Sequence, residues 1–239
     1  MTIPKTRFAP TPSGFLHLGN VLNLLFCEKW SKSNGAQLLL RIDDIDRERF
    51  RLEYLEDIFK TIDWLGIKFD EGPSGVEDFL KNYSQHTKLE SYKRYLNDVL
   101  EDTFSCSCSR KELQGLESYP GTCRDKGLVY KKGLNLRLKE DDSIIYKKDL
   151  LPSYNWACVI DDFEMNITHI VRGDDLLESS LVQDRYRLKL NLPSIASSFH
   201  QLILSKNGEK LSKSTMKNGR PLKEIYSKNF LFNQLEKYL

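Results

Sequence analysis

The spacing of apolar and polar positions marks out the elements before any motif is considered. A short apolar stretch at residues 6–9 predicts a strand, which runs into the turn-rich segment Pro10-Thr11-Pro12-Ser13-Gly14. From about residue 20, Val21, Leu22, Leu24, Leu25 and Phe26 recur at helical spacing, and Asn34-Gly35 supplies a left-handed stop. Residues 37–42 form a dense apolar run, the mark of a buried strand. Strand, helix, strand in that order predicts a βαβ unit with a right-handed crossover. A second helix is predicted over 48–65, where Leu55, Ile58, Phe59, Ile62 and Leu65 recur at helical spacing and Gly66 ends it.

The middle of the chain differs. Residues 70–82 are polar, with two glycines and a proline, and read as a loop. A helix is predicted over 89–100, followed by a cysteine-bearing stretch at 106–123 and a charged, hairpin-like region to about 149. The buried pattern returns at Tyr154, predicting strands at 156–160 and 167–171, a helix at 175–190, a last strand at 202–204 and a short helix at 222–238. The sum is an α/β protein with a Rossmann-like parallel sheet. Its nucleotide-binding domain, 1–80 and 153–215, is interrupted by an insertion at 81–152 and followed by a short tail at 216–239.

Composition narrows the class. The 239 residues suffice for a sizeable core. No stretch approaches the roughly 20 apolar residues of a membrane helix, and the N-terminus shows no secretory apolar region. A cytoplasmic monomer with no membrane partner is expected. Lysine and arginine number 36 against 34 acidic residues, which argues against whole-surface polyanion binding but leaves room for a local basic patch. Five cysteines without a secretion signal favour reduced thiols or a metal site over disulfides.

Three constellations carry chemistry. The segment from Arg7 to Asn20 joins the first strand to its helix, where open α/β sheets bind ligands. The helix N-terminus suits a phosphate; Gly19 allows close backbone approach, and His17 can donate to a phosphoryl oxygen. Taken alone, His-x-Gly is an ordinary turn. Lys210-Leu211-Ser212-Lys213-Ser214 places two lysines around a serine, able to fold over a triphosphate; alone, it is a solvated basic loop. Cys106, Cys108 and Cys123 are three thiolate donors within eighteen residues, which suits zinc and leaves the fourth ligand open to water or a distant side chain. Cys27 and Cys158 lie in apolar patterns and read as buried small hydrophobes.

Together, His17-Leu-Gly-Asn20 and Lys210-Leu-Ser-Lys213-Ser214 resemble the two signatures of class I aminoacyl-tRNA synthetases, with Asn20 where a second histidine often stands. Arg7-Phe-Ala-Pro-Thr-Pro-Ser-Gly14, Arg41-Ile-Asp-Asp-Ile-Asp46, Tyr154-Asn-Trp-Ala-Cys-Val-Ile-Asp-Asp162 and Ile170-Val-Arg-Gly-Asp-Asp-Leu-Leu177 resemble its glutamyl branch. Cys106-x-Cys108, Tyr119 and Cys123 resemble the zinc site of the glutamyl-Q tRNA(Asp) synthetases, which implies Tyr119 as fourth ligand. About 25 residues follow Ser214, where ordinary glutamyl-tRNA synthetases continue into an anticodon-binding region. Cys158 stands where those enzymes carry asparagine.

The resemblance implies an ATP site of Pro10, His17, Gly19, Asn20, Lys210, Leu211, Ser212 and Lys213, with magnesium accompanying ATP. His17, Lys210 and Lys213 would stabilise the phosphoryl charge. It implies a glutamate site in which Arg7 and Tyr154 hold the side-chain carboxylate and Arg172 the α-carboxylate. Ala9 would line that site, and Thr11 and Asp43 would meet the ammonium. The family usually has serine and glutamate at those last two positions. The expected reaction is activation of L-glutamate as its adenylate and transfer to queuosine in the tRNA(Asp) anticodon loop, the basic tail from Lys206 being a candidate RNA surface. The alternatives are a truncated glutamyl-tRNA synthetase, a small-molecule adenylyltransferase and an inactive zinc-stabilised RNA-binding module.

Overall fold

The computed structural model describes residues 3–201 and 220–237. In chain order the elements begin β1 Lys5–Phe8, α1 Leu18–Asn34, β2 Gln37–Leu40, α2 Leu52–Leu65 and α3 Val76–Asp78. They continue α4 Leu89–Asn97, β3 Thr103–Cys106, β4 Asn135–Leu138, β5 Ile144–Tyr146 and α5 Tyr154–Glu164. The last are β6 His169–Gly173, α6 Leu177–Lys189, β7 Ala196–His200 and α7 Lys228–Lys237. The chain divides into two compact units: residues 1–87, 164–178 and 195–239, and residues 88–163 and 179–194. The expected partition drew the insertion at 81–152, so 81–87, 153–163 and 179–194 group differently from that outline.

The first unit holds the parallel strands. β1 pairs with β2 from Lys5↔Gln37 to Phe8↔Leu40, and β6 with β7 from His169↔Ala196 to Gly173↔His200. β1 and β6 meet at their starts, where the Thr168 N–H donates to the Lys5 carbonyl at 3.0 Å and the Lys5 N–H to Thr168 Oγ1 at 2.9 Å. Further along, the Cys27 thiol of α1 lies 3.5 Å from the Arg7 carbonyl oxygen and 3.8 Å from that of Val171. The two strands therefore run the same way with a helix thiol beneath both. α1 is largely apolar through its first ten residues and buries Val21, Leu22, Leu24, Leu25, Phe26 and Cys27, while its last turns carry exposed Lys29, Lys32 and Asn34. α2 buries one stripe, Leu55, Ile58, Ile62 and Leu65. Gly35 at φ 58° and Gly66 at φ 78° end the two helices in the left-handed conformation that the sequence signals require.

Several expectations are corrected. The strand expected at 156–160 is the helix α5, with Trp156 to Asp162 all buried. A continuous apolar run cannot separate a buried helix from a buried strand, and the Ser153 hydroxyl starts the helix by accepting the Trp156 N–H at 3.3 Å. The loop at 70–82 contains α3, which passes into a π-turn, Phe79–Tyr83, anchored by fully buried Phe79. β7 was not foreseen; its Ala-Ser-Ser-Phe-His sequence has little apolar signal, and pairing with β6 supplies what propensity does not. The strand expected at 202–204 lies outside the described residues. Helix 222–238 divides into a 3₁₀ turn, Leu222–Glu224, and α7, and both bury a leucine: Leu222 and Leu231 join the core around α1 and α2.

The second unit contains an antiparallel sheet, β3-β4-β5, with α4, α5 and α6. Trp156 and Tyr186 pack edge to face at 5.4 Å between ring centres. Buried Asp161 accepts from the Tyr92 hydroxyl at 3.0 Å and pairs with Lys88 at 3.0 Å; buried Asp162 pairs with Arg187 at 3.3 Å.

Candidate active site

His17 is the N-cap of α1, in an extended conformation (φ −101°, ψ 170°). Its Nδ1 accepts the Asn20 N–H at 3.3 Å, and its own N–H donates to Asn20 Oδ1 at 3.2 Å. This is a reciprocal capping box built from histidine and asparagine rather than serine and glutamate. It assigns Asn20 a role: satisfying the backbone that presents the histidine. It also fixes the tautomer, since an Nδ1 that accepts leaves Nε2 as the protonated, donating nitrogen of the neutral ring. A Cβ at Gly19 would stand 3.0 Å from His17 Cε1 and 3.1 Å from Nδ1. Any side chain there would press on the imidazole and displace it by a few tenths of an ångström.

Arg7 on β1 and Arg172 on β6 are both buried. Burial pushes the Cys27 thiol up to about 12, and the guanidinium groups of Arg7 and Arg172 both pull it back. Two fixed cations on neighbouring strands therefore act on one buried atom. Phe8, Pro10 and Thr11 continue from β1, with the Phe8 carbonyl accepting the Arg41 N–H and the Pro10 carbonyl accepting the Asp43 N–H, each at 3.0 Å. Asp43 is held by Arg41, with Nε–Oδ1 at 2.7 Å and Nη2–Oδ2 at 3.3 Å. Both side chains are 2% exposed. The carboxylate expected to meet an ammonium thus carries its own guanidinium. Sequence reasoning missed this pair, which lies just beyond the end of β2.

Asp44 was also missed. It is buried, accepts from the Ser84 hydroxyl and the Gln85 N–H at 2.7 Å each, and so ties the π-turn to the end of β2. Asp57 of α2 accepts the Leu16 N–H at 3.0 Å, one residue before His17. Its signal was an acidic residue within an apolar helical stripe. Tyr154 and Cys158 belong to the second unit: Tyr154 opens α5 and is exposed, while Cys158 is buried with its thiol 3.6 Å from Asp162 Oδ2. Lys210, Leu211, Ser212 and Lys213, with Lys206 and Lys217, lie outside the described residues.

The second unit also gathers three thiols. The sulfur atoms of Cys106, Cys108 and Cys123 all lie within 4.8 Å of one another, with Cys108 and Cys123 at 3.6 Å. Zn–S bonds of about 2.3 Å in a tetrahedron place sulfurs roughly 3.8 Å apart. The Tyr119 hydroxyl lies 4.0 Å from Cys108 Sγ and accepts the Cys123 N–H at 2.9 Å. Burial pushes Cys108 up to about 11. Burial also opposes ionisation of Cys123, but hydrogen bonds led by those from Ser107 outweigh it and hold that thiol at about 6. Three buried sulfurs and an adjacent phenol oxygen fit the donor set of a tetrahedral zinc ion.

The chain matches the family model described as the catalytic domain of class I tRNA synthetases (E and Q) over residues 4–126 and 124–235. It belongs to that family. The synthetase domain is 31% identical to the glutamate–tRNA ligase of Buchnera aphidicola subsp. Acyrthosiphon pisum, an alignment covering 98% of this chain and 56% of that protein. It is 35% identical to glutamate–tRNA ligase 1 of Rubrobacter xylanophilus, covering 87% of this chain and 47% of that one. The crystal structure of the glutamate–tRNA synthetase from Elizabethkingia anophelis superposes with a TM-score of 0.74 at 25% identity, covering 89% of this chain and 53% of that one. The chain thus spans about half the length of these relatives. Among the described residues no helix is long and apolar enough to cross a membrane.

Proposed function

We propose that this synthetase domain activates L-glutamate with ATP. The glutamate α-carboxylate attacks the α-phosphorus of ATP; the bond to the oxygen bridging the β-phosphorus breaks, and pyrophosphate leaves. A carboxylate is already a nucleophile, so no catalytic base is required, and catalysis is positioning and charge stabilisation. The observation that carries the reading is the capping box that fixes His17 with Nε2 as donor at the start of α1, beside strands bearing Arg7 and Arg172. His17, with Pro10, Gly19 and Asn20, receives the nucleotide; Arg7 and Arg172 receive the two carboxylates, with Thr11 and Asp43 toward the ammonium. Lys210 and Lys213 meet the phosphates, and magnesium accompanies ATP. Lys213→Ala should lower the rate by about 10²–10³.

The acceptor we propose is queuosine in the tRNA(Asp) anticodon loop. Cys158 in place of asparagine and the Cys106, Cys108, Tyr119, Cys123 set favour it by resemblance. Zinc on that set is structural, fixing the loops around β3. Arg220, Lys223 and Lys228 offer the RNA-facing charge. The second reading, charging of a tRNA 3′ end, is favoured by the names of the relatives. The test is glutamate-dependent exchange of pyrophosphate into ATP without RNA, followed by locating labelled glutamate on tRNA(Asp) with and without queuosine. Label on the anticodon only when queuosine is present supports the first reading. Label on the 3′ end selects the second. No exchange with or without tRNA removes both.

A further inference from the structure

Asp57 is out of character for its place. It lies on the stripe through which α2 sends Leu55, Ile58, Thr61, Ile62 and Leu65 inward, and it is 3% exposed. A carboxylate in such a position is costly unless hydrogen-bonded. Burial accordingly raises its pKa, opposed by the hydrogen bond from the Leu16 backbone. That bond, 3.0 Å and buried, joins residues 41 apart in sequence. Its donor is the residue that leads into the N-cap of α1.

Leu16 is clamped on both sides. Its own N–H is held by Asp57, and the next N–H, that of His17, is held by Asn20. The two peptide planes flanking Leu16 are thereby fixed, and with them the direction in which the imidazole leaves the backbone. Two further contacts lay the same loop along α2. The Arg51 N–H donates to the Pro12 carbonyl at 3.4 Å, and the Phe15 and Tyr54 rings meet edge to face at 5.1 Å. Neither reaches the residue before His17, whereas Asp57 does.

We propose that Asp57 is a positioning residue for His17. Resting on the reading of His17 as a phosphoryl donor, the inference adds the group that aims it. Asp57 touches no substrate; it acts through the Leu16 backbone. What it needs is an acceptor oxygen rather than a charge, so the amide of an asparagine serves in its place.

The test compares Asp57→Ala and Asp57→Asn by glutamate-dependent pyrophosphate exchange and by hydrogen exchange at the Leu16 and Asn20 amides, read by NMR on the full chain. In Asp57→Ala, kcat should fall about 10–100-fold while the KM for glutamate stays within about twofold, the signature of a misaimed group. Leu16 should lose protection. Asp57→Asn should restore kcat to within about threefold and keep the Leu16 amide protected. The inference is overturned if asparagine is as impaired as alanine, if the glutamate KM rises in step, or if the Leu16 amide is unchanged in the alanine variant. Should Asp57→Ala fail to fold, the asparagine variant decides: retained Leu16 protection supports the clamp, and its loss refutes it. If the wild-type chain performs no exchange, the function fails by itself, and the amide data still decide whether Asp57 holds the loop.

Discussion

Gly19→Ala separates the helix-capping role of His17 from the phosphoryl-donor role proposed for it. The added Cβ stands 3.0 Å from Cε1 and 3.1 Å from Nδ1 of the imidazole, several tenths of an ångström inside ordinary contact. The ring must give by a few tenths of an ångström, which strains its bond from the Asn20 N–H, already 3.3 Å long, and moves Nε2. Losing an N-cap costs about 0.5–2 kcal/mol. Replacing glycine by alanine within a helix returns about 0.5–1 kcal/mol. The net change runs from a gain of about 0.5 to a loss of about 1.5 kcal/mol, so the melting temperature should fall by no more than roughly 6 °C. Catalysis has no such compensation. An Nε2 donor displaced from the phosphate should cost about 10²–10³ in the rate of pyrophosphate exchange. His17→Asn is the companion variant: asparagine is a good N-cap, so stability should hold while the donor is lost. Exchange assays and thermal melts on both proteins check this. If Gly19→Ala keeps more than half the wild-type kcat, the steric argument and the assignment of His17 both fail.

Three further outcomes follow from buried groups. Arg41→Ala leaves the Asp43 carboxylate buried without its guanidinium and should destabilise the chain by about 3–5 kcal/mol, measured by urea unfolding; a loss under about 1 kcal/mol would show that solvent reaches Asp43. Cys27 should resist alkylation at pH 8 in the native protein. Because its folded pKa, about 12, lies above the ordinary thiol value of 9, its contribution to stability is fully present below pH 9 and is lost as pH rises toward 12; Cys27→Ala should flatten the stability profile in that window. Metal analysis should find about one zinc per chain, released by titrating the thiols with a mercurial, and Cys108→Ser should lower both metal content and melting temperature. Zinc-free protein with an unchanged melting temperature would remove the metal centre.

How much was legible depended on whether a local signal matched the global fold. β1, α1 and β2 could be read because the α1 stop, Gly35, and the apolar strand both sides of it speak locally. α5 could not, since Trp156 to Ile160 is buried whichever way the backbone turns, and a strand with nothing polar on either face looks the same. β7 is the opposite case: Ser197 and Ser198 carry no strand signal, and only the open edge of β6 makes them a strand. In the site, His17, Arg7 and Arg172 stood out because their motifs are short and contiguous. Arg41 with Asp43 lies past the end of β2, where no strand period applies, and was not legible. Nor was the bond from Leu16 to Asp57, because it joins residues that only the packing of α2 brings together.

The placement of the site follows from the same packing. A parallel sheet is open to a ligand where strand order turns back on itself, and here the chain goes from β1 to β2 on one side and returns as β6 on the other. At their starts β1 and β6 are joined by the Lys5 and Thr168 hydrogen bonds; further along, the Cys27 thiol lies against the Arg7 and Val171 carbonyls. A larger residue than cysteine at position 27 would force the strands apart, and a smaller one would leave a void beneath Arg7 and Arg172. Cys27 is therefore a buried contact shared by α1, β1 and β6. In the proposed glutamate site, a thiolate at this position would stand against both guanidinium groups and weaken their hold on carboxylates, whereas a buried thiol with a raised pKa leaves their charge for the ligand.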